Sequence, residues 1–290
     1  MSGVKSELMQ KQRETYLELG YLKVRKALPS QVLQNVIDDI EREVDRRAYE
    51  LFEAGEITDL CRDDPFAARW YNVWRQMGRE QGSFGWHACT FGLAMYQLWI
   101  HPAILDAVES LIGPELQFNG DFWVRPKLPA EGITTIPWHQ DSAYIPETEK
   151  AHLLTLWLPL VPVDANNGAL QFLPGTHHLE IQKHDDRKAG ALPTTSFDPA
   201  EGREVVTLDM EPGDFVLFNN RTFHRSTVNQ ASSVRWSIDF RYSEVGTSMD
   251  HLWHGDMCFT VRSSRQPDSV PGWDRVAAQW QKSSQRVNHP

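Results

Sequence analysis

The chain has 290 residues, 41% hydrophobic and 11% aromatic, with a formal net charge of -10. That is ample apolar material for one packed core, and the acidic balance, with no Lys/Arg cluster interleaved with aromatics, argues against a nucleic-acid partner. Cys61, Cys89 and Cys258 are widely spaced and form no CxxC pair, which excludes a disulfide framework and a structural zinc site. No stretch approaches a membrane span.

The first third reads as helical. Beyond Pro29, with Ser30 as the expected N-cap, Val32, Leu33, Val36, Ile37, Ile40 and Val44 recur at helical spacing. Asp59 to Gly85 is charged and rich in Trp, and its pattern assigns no element. His101-Pro102 opens a second helix through Leu105, Val108 and Leu111, and Gly113-Pro114 stops it.

From about Leu116 the period changes. Phe122 and Val124 alternate with Asp121, Trp123 and Arg125; Leu154, Leu156 and Leu158 alternate with Thr155, Trp157 and Pro159. Trp236, Ile238, Phe240 and Tyr242 alternate with Arg235, Ser237, Asp239 and Arg241. Successive side chains on a strand point to opposite faces, so each run has an apolar face and a polar-aromatic one. Tryptophans beside arginines suit the lining of a barrel, with the apolar faces packed under the helices. The expected fold class is α+β and mainly β: a double-stranded β-helix, or jelly-roll (cupin-like) barrel, with the N-terminal helices on one sheet. One domain is expected over 1–290, with helical support in 1–115, barrel core in 116–245 and a C-terminal extension in 246–290.

Chemistry concentrates in Trp138-His139-Gln140-Asp141 and in Phe223-His224. His139 and Asp141, two apart, reach a common metal if the segment is extended. A second imidazole from a distant strand completes two histidines and one carboxylate on one face of an octahedron. The open positions opposite suit a non-haem iron(II) oxygenase. Arg235 lies eleven residues beyond His224. A guanidinium there can grip a carboxylate with two parallel hydrogen bonds.

Together these residues resemble the phytanoyl-CoA dioxygenase family of iron(II)/2-oxoglutarate oxygenases. The resemblance runs through His139-Gln140-Asp141 with Tyr144 and Pro146, Trp157, Asn167-Gly168 and Pro174-Gly175-Thr176-His177. It continues through Pro212-Gly213-Asp214, His224, Ser226 and Arg235, with Gly20-Tyr21 and Gly113-Pro114 upstream. It implies that His139, Asp141 and His224 ligate Fe(II), and that Arg235 binds the distal carboxylate of 2-oxoglutarate with Ser226 hydrogen-bonded to it. The resemblance likewise implies that Trp157 lines the cosubstrate pocket and that dioxygen is the second cosubstrate. Aspartate at 141, where halogenating relatives carry Gly or Ala, implies hydroxylation with release of succinate and carbon dioxide.

Asp121, Trp123, Tyr144 and Arg241 are expected to face the substrate, taken to be a small-molecule metabolite or natural product. An acyl-CoA ranks lower for want of a basic surface patch. Two alternatives stand beside this reading: a non-catalytic jelly-roll ligand-binding protein, and a metal-dependent cupin isomerase or hydrolase. Arg125-Pro126-Lys127 departs from the family's frequent Lys-Pro, and 249–290 carries no placeable motif. His251, His254 and the pair His177-His178 are read as structural or supporting residues. A cytoplasmic location is expected, with no membrane and no protein partner inferred.

Overall fold

The computed structural model describes residues 2–79, 82, 85–131, 135–143, 152–182, 195, 197–248 and 257–287, with side chains described between 10 and 283. Helix α1 (Ser2–Leu19) leads into strand β1 (Tyr21–Val24), and α2 (Ser30–Glu53), α3 (Phe66–Arg75), α4 (Leu93–Trp99) and α5 (Pro102–Ile112) follow. The strands are β2 (Leu116–Lys127), β3 (Leu154–Pro159), β4 (Leu170–Phe172), β5 (Val206–Thr207), β6 (Phe215–Asn219), β7 (His224–Ser226), β8 (Arg235–Glu244) and β9 (Phe259–Arg262), and helix α6 (Trp273–Val287) closes the chain.

The strands form a six-stranded sheet in the order β1-β6-β3-β8-β2-β9 and a three-stranded sheet in the order β5-β4-β7. All the pairings are antiparallel. This is the expected mixed fold of helices and curled antiparallel sheets. The alternation assigned the faces as the structure has them. Leu154, Leu156, Leu158, Trp236, Ile238, Phe240 and Tyr242 are buried in one cluster with Val36, Ile40 and Val44 of α2 and Ile104, Leu105 and Val108 of α5. Tyr21, Trp157, Val216 and Phe218 face the other way and pack on Leu170 and Phe172 of the small sheet. The barrel is therefore dry on its helix side and mixed inside.

Several elements differ from the sequence reading. Ser30 is the first helical residue of α2, not its cap. Pro29 occupies the cap position in an extended conformation, with no side-chain cap, and its carbonyl accepts from the Val32 N–H at 3.1 Å. His101 does cap α5, through Nδ1 accepting from the Ala103 N–H at 3.3 Å. The unassigned segment holds α3, whose Trp70 packs edge-on against Trp86, which in turn packs edge-on against Trp236 of β8, centroids 5.2 and 5.0 Å apart. The helical third contributes β1, and the C-terminal region contributes β9 as an edge strand. Helix α6 is pinned by Trp280 stacked on Phe91, centroids 4.2 Å apart. His251 and His254 lie outside the described residues.

Gly20 joins α1 to β1 at φ +80°, where a Cβ would lie 2.4 Å from His177 Nδ1. The same imidazole meets the Leu17 carbonyl through Nε2 at 3.1 Å. His177 thus ties the first helix to the barrel, consistent with a structural role.

Candidate metal centre

The candidate metal ligands come from two adjoining segments of the small sheet's edge. His139 pairs with His224 as an isolated bridge, with reciprocal backbone N–H to O distances of 3.1 Å. The strand expected to carry His139 and Asp141 is no longer than that bridge, because Asp141 already opens a 3-10 turn over Asp141–Ala143. The two side chains converge all the same. Between them Gln140 turns away and ties down the neighbouring chain, donating to the Arg221 carbonyl and accepting from the Gln182 N–H, both at 2.8 Å.

One ligand atom each from His139, Asp141 and His224 lie within 4.8 Å of one another, and all three residues are buried. Nδ1 of His139 is 2.8 Å from the Pro137 carbonyl, and Nδ1 of His224 is 3.0 Å from the Thr222 carbonyl. A carbonyl only accepts, so each Nδ1 carries the proton and each Nε2 presents its lone pair. Both Nε2 atoms are 3.6 Å from Asp141 Oδ1. Burial, then the nearby His139, pushes His224 down to about 3, keeping its imidazole neutral as coordination requires. Phe218 lies 4.5 Å and Phe172 5.9 Å from the His224 ring, so the site is backed by apolar surface.

Asp141 is held on its far side. Thr155 Oγ1 donates to Oδ2 at 2.6 Å, and Arg241 Nε lies 3.4 Å from the same oxygen. Burial alone would favour the protonated carboxyl, but the Arg241 charge, followed by the two histidines, holds Asp141 well below the ordinary carboxylate range. This donor set, two imidazoles that each turn Nε2 toward one ionised carboxylate, fits a divalent iron.

A run of charge extends along the inward faces of β2 and β8. Arg241 also reaches Asp239 at 3.4 Å, and Asp239 accepts from Arg125, one contact being 3.1 Å. Asp121, in a bulge of β2 between Phe118 and Phe122, is bonded by His87 and accepts from Trp123 Nε1 at 3.3 Å. His87 packs at a tilt against Trp123 with centroids 4.0 Å apart, and the Arg125 guanidinium sits 4.7 Å over the same ring. Tyr144 lies outside the described residues.

Arg235 starts β8, 3% exposed, with Nη1 donating to Ser237 and the guanidinium carbon 5.4 Å from the centre of the Trp157 ring. Its buried Nε has no partner among the described residues. Ser226 accepts from the Ile136 N–H at 3.1 Å and from Lys127 Nζ at 2.8 Å. Residue patterns gave no role to Thr155, His87 or Lys127. Thr155 shares a strand face with Trp157, which was the available signal, and Lys127 continues the Trp123-Arg125 face by one more step.

A family model for phytanoyl-CoA dioxygenase matches residues 16–237. The chain belongs to the phytanoyl-CoA dioxygenase family. It is similar to human peroxisomal phytanoyl-CoA dioxygenase, 27% identical over 259 residues that cover 83% of this chain and 72% of that one. A 1-deoxypentalenic acid 11-beta-hydroxylase of Streptomyces arenae is 30% identical over 159 residues, covering 50% of this chain and 55% of its own length. The bovine phytanoyl-CoA dioxygenase match spans 49% of that relative. Among solved structures, the epimerase SnoN in complex with Fe3+, alpha ketoglutarate and nogalamycin RO shares the fold at TM-score 0.57 and 19% identity, over 92% of each chain. The apo non-heme monooxygenase ThoJ does so at TM-score 0.64 and 18% identity, over 94% of this chain and 95% of that one. Family membership bears out the expected class, a non-haem iron dioxygenase that works with iron(II), 2-oxoglutarate and dioxygen.

Proposed function

We propose that this chain hydroxylates a C–H bond of a small-molecule metabolite or natural product, using His139, Asp141 and His224 as the iron ligands. The observation that carries the reading is the buried triad itself, with both Nδ1 atoms committed to carbonyls and both Nε2 atoms aimed at one oxygen of Asp141. Bound iron would supply dioxygen activation coupled to decarboxylation of 2-oxoglutarate to succinate and carbon dioxide.

The protein's share is binding and orientation. Arg235, desolvated and with an unpartnered Nε, is the clamp for the distal carboxylate, aided by the Ser226 hydroxyl, with Trp157 packed against it. Asp121, Trp123 and Arg241, with Tyr144, form the wall offered to the substrate. Arg125 and Arg241 there face Asp121 and Asp239, so the wall is charge-balanced and favours a substrate with modest charge of its own. The named relatives act on phytanoyl-CoA and 1-deoxypentalenic acid. Of these two chemistries the unesterified natural product suits this wall better than a polyanionic thioester. Cys61, Cys89 and Cys258 are free thiols, which suits a reducing compartment such as the cytoplasm.

The test is succinate formation by the iron(II)-loaded protein across a panel of terpenoid, alkaloid, amino-acid and acyl-thioester candidates. It is paired with an anaerobic titration that looks for a weak visible charge-transfer band on adding 2-oxoglutarate. Neither band nor succinate would leave a ligand-binding barrel.

A further inference from the structure

Lys127 and Arg235 are register partners across the β2–β8 pair, so two basic side chains stand side by side on the inward face of the sheet. Both are buried, at 1% and 3% exposure. Lys127 Nζ lies 2.8 Å from Ser226 Oγ, the hydroxyl already placed beside the cosubstrate clamp. Gly168 makes room for the lysine stem. It adopts φ +95°, and a Cβ there would lie 2.7 Å from Lys127 Cδ and 3.2 Å from Cε. A buried lysine next to a buried arginine is an unfavourable arrangement unless an anion joins them.

Resting on the 2-oxoglutarate reading, we propose that Lys127 is a second cationic contact for the distal carboxylate, beside Arg235, and that it takes up a proton from solvent when that carboxylate enters. Arg235 on β8 and Arg125 on its own strand disfavour the ammonium, and Glu131 in the following loop favours it. Arg125 is engaged by Asp239, so the repulsion that a ligand would relieve is chiefly that of Arg235. Burial first, then Arg235, brings Lys127 down to about 6. Near neutral pH the ligand-free lysine is therefore largely the uncharged amine. An arriving carboxylate reverses the local charge, and amine plus proton becomes ammonium. Arg235 supplies a permanent charge, and Lys127 a charge that exists only when the dicarboxylate is in place.

The experiment is a calorimetric titration of 2-oxoglutarate into the iron(II)-loaded protein under argon, in buffers of low and high ionisation enthalpy. The expected result is uptake of close to one proton, and affinity that weakens by roughly tenfold per pH unit above the lysine's ligand-free pKa. 2-Oxobutyrate keeps the keto-acid end and lacks the distal carboxylate, so it should bind with no such uptake. Any proton change at the metal ligands is common to both compounds and cancels. Lys127→Met should abolish the buffer dependence and weaken 2-oxoglutarate by roughly tenfold or more at mildly acidic pH. Equal uptake with both compounds, or none with 2-oxoglutarate, overturns the assignment while leaving the cosubstrate reading intact. Failure of the wild-type protein to bind 2-oxoglutarate at all overturns both. The 2-oxobutyrate comparison decides the matter on the unaltered chain, even where Lys127→Met folds poorly.

Discussion

Thr155 Oγ1 donates to Asp141 Oδ2 at 2.6 Å, and Arg241 Nε lies 3.4 Å from that same oxygen. With Oδ2 occupied in this way, Oδ1 is the oxygen turned to the two imidazoles. A carboxylate free to rotate would present either oxygen, or both, and would lose the fixed geometry that leaves coordination positions open. Thr155→Val and Arg241→Gln should therefore each weaken iron(II) binding by roughly 10- to 100-fold, the usual effect of removing a group that orients a ligand. Chelator competition measures this directly. Unchanged affinity in both variants would mean that Asp141 is oriented by the backbone turn alone.

The triad predicts a steeper outcome. His139→Ala, Asp141→Ala and His224→Ala should each abolish turnover and strip tight iron binding, since no other group of three candidate ligands occurs among the described residues. Near-normal turnover in any one of them would remove that residue from the ligand set.

Replacing Arg235 by Gln should raise the dissociation constant for 2-oxoglutarate by tens- to about a thousandfold, because loss of one partner of a buried charge pair typically costs about 2–5 kcal/mol. Arg235→Lys should recover only part, as a point charge cannot reproduce the planar fork. Equilibrium binding in the iron-loaded protein checks both. An unaffected constant would put the clamp elsewhere.

The two faces of the sheet should separate in stability measurements. Trp236, Ile238 and Leu156 have no exposed surface and lie in the helix-side core. Truncation of each to Ala should destabilise by about 2–5 kcal/mol. Arg235→Leu, on the opposite face, should cost little or raise the melting temperature. Burial and Arg125 already bring that guanidinium down to about 9, which marks its charge as a liability in the empty site. Equal losses on denaturant unfolding would contradict the division of faces.

That division was readable because a strand's period is two and one face had to be greasy. The alternation of Trp236, Ile238 and Phe240 with Arg235, Ser237 and Asp239 leaves no other solution. The candidate metal ligands could be proposed from the sequence for a different reason, since so few residue types can hold iron. Helix α3 was not readable, because Trp70 is there to meet Trp86, which in turn meets Trp236, and Trp74 packs on Trp70, a tertiary demand that local pattern does not display. Thr155, Lys127 and His87 escaped for the same cause. A threonine in a strand or a lysine at its end is ordinary until the partner across the sheet is known, and those partners, Asp141, Arg235 and Asp121, are remote in sequence.

Lys127 also predicts how the ligand-free protein responds to pH. Its folded-state pKa of about 6 lies below the ordinary lysine value of about 10.4. Between these values the unfolded chain binds a proton that the folded chain refuses. Stability therefore rises with pH across that window, and falls as pH drops from its upper to its lower edge. Below the lower edge both states are protonated and the penalty is constant. The slope from this group is about 1.4 kcal/mol per pH unit inside the window. Lys127→Met keeps the stem and removes the titration, and all other ionisations are common to the two proteins. The difference in unfolding free energy, variant minus wild type, should be smallest at the alkaline end and grow in the variant's favour toward mildly acidic pH. Saturating 2-oxoglutarate should shrink or reverse the variant's advantage, because the bound carboxylate lets the folded wild type keep its proton. Parallel stability curves for the two ligand-free proteins would show that the Lys127 amine stays charged when folded, and that the pocket is wetter than its burial implies.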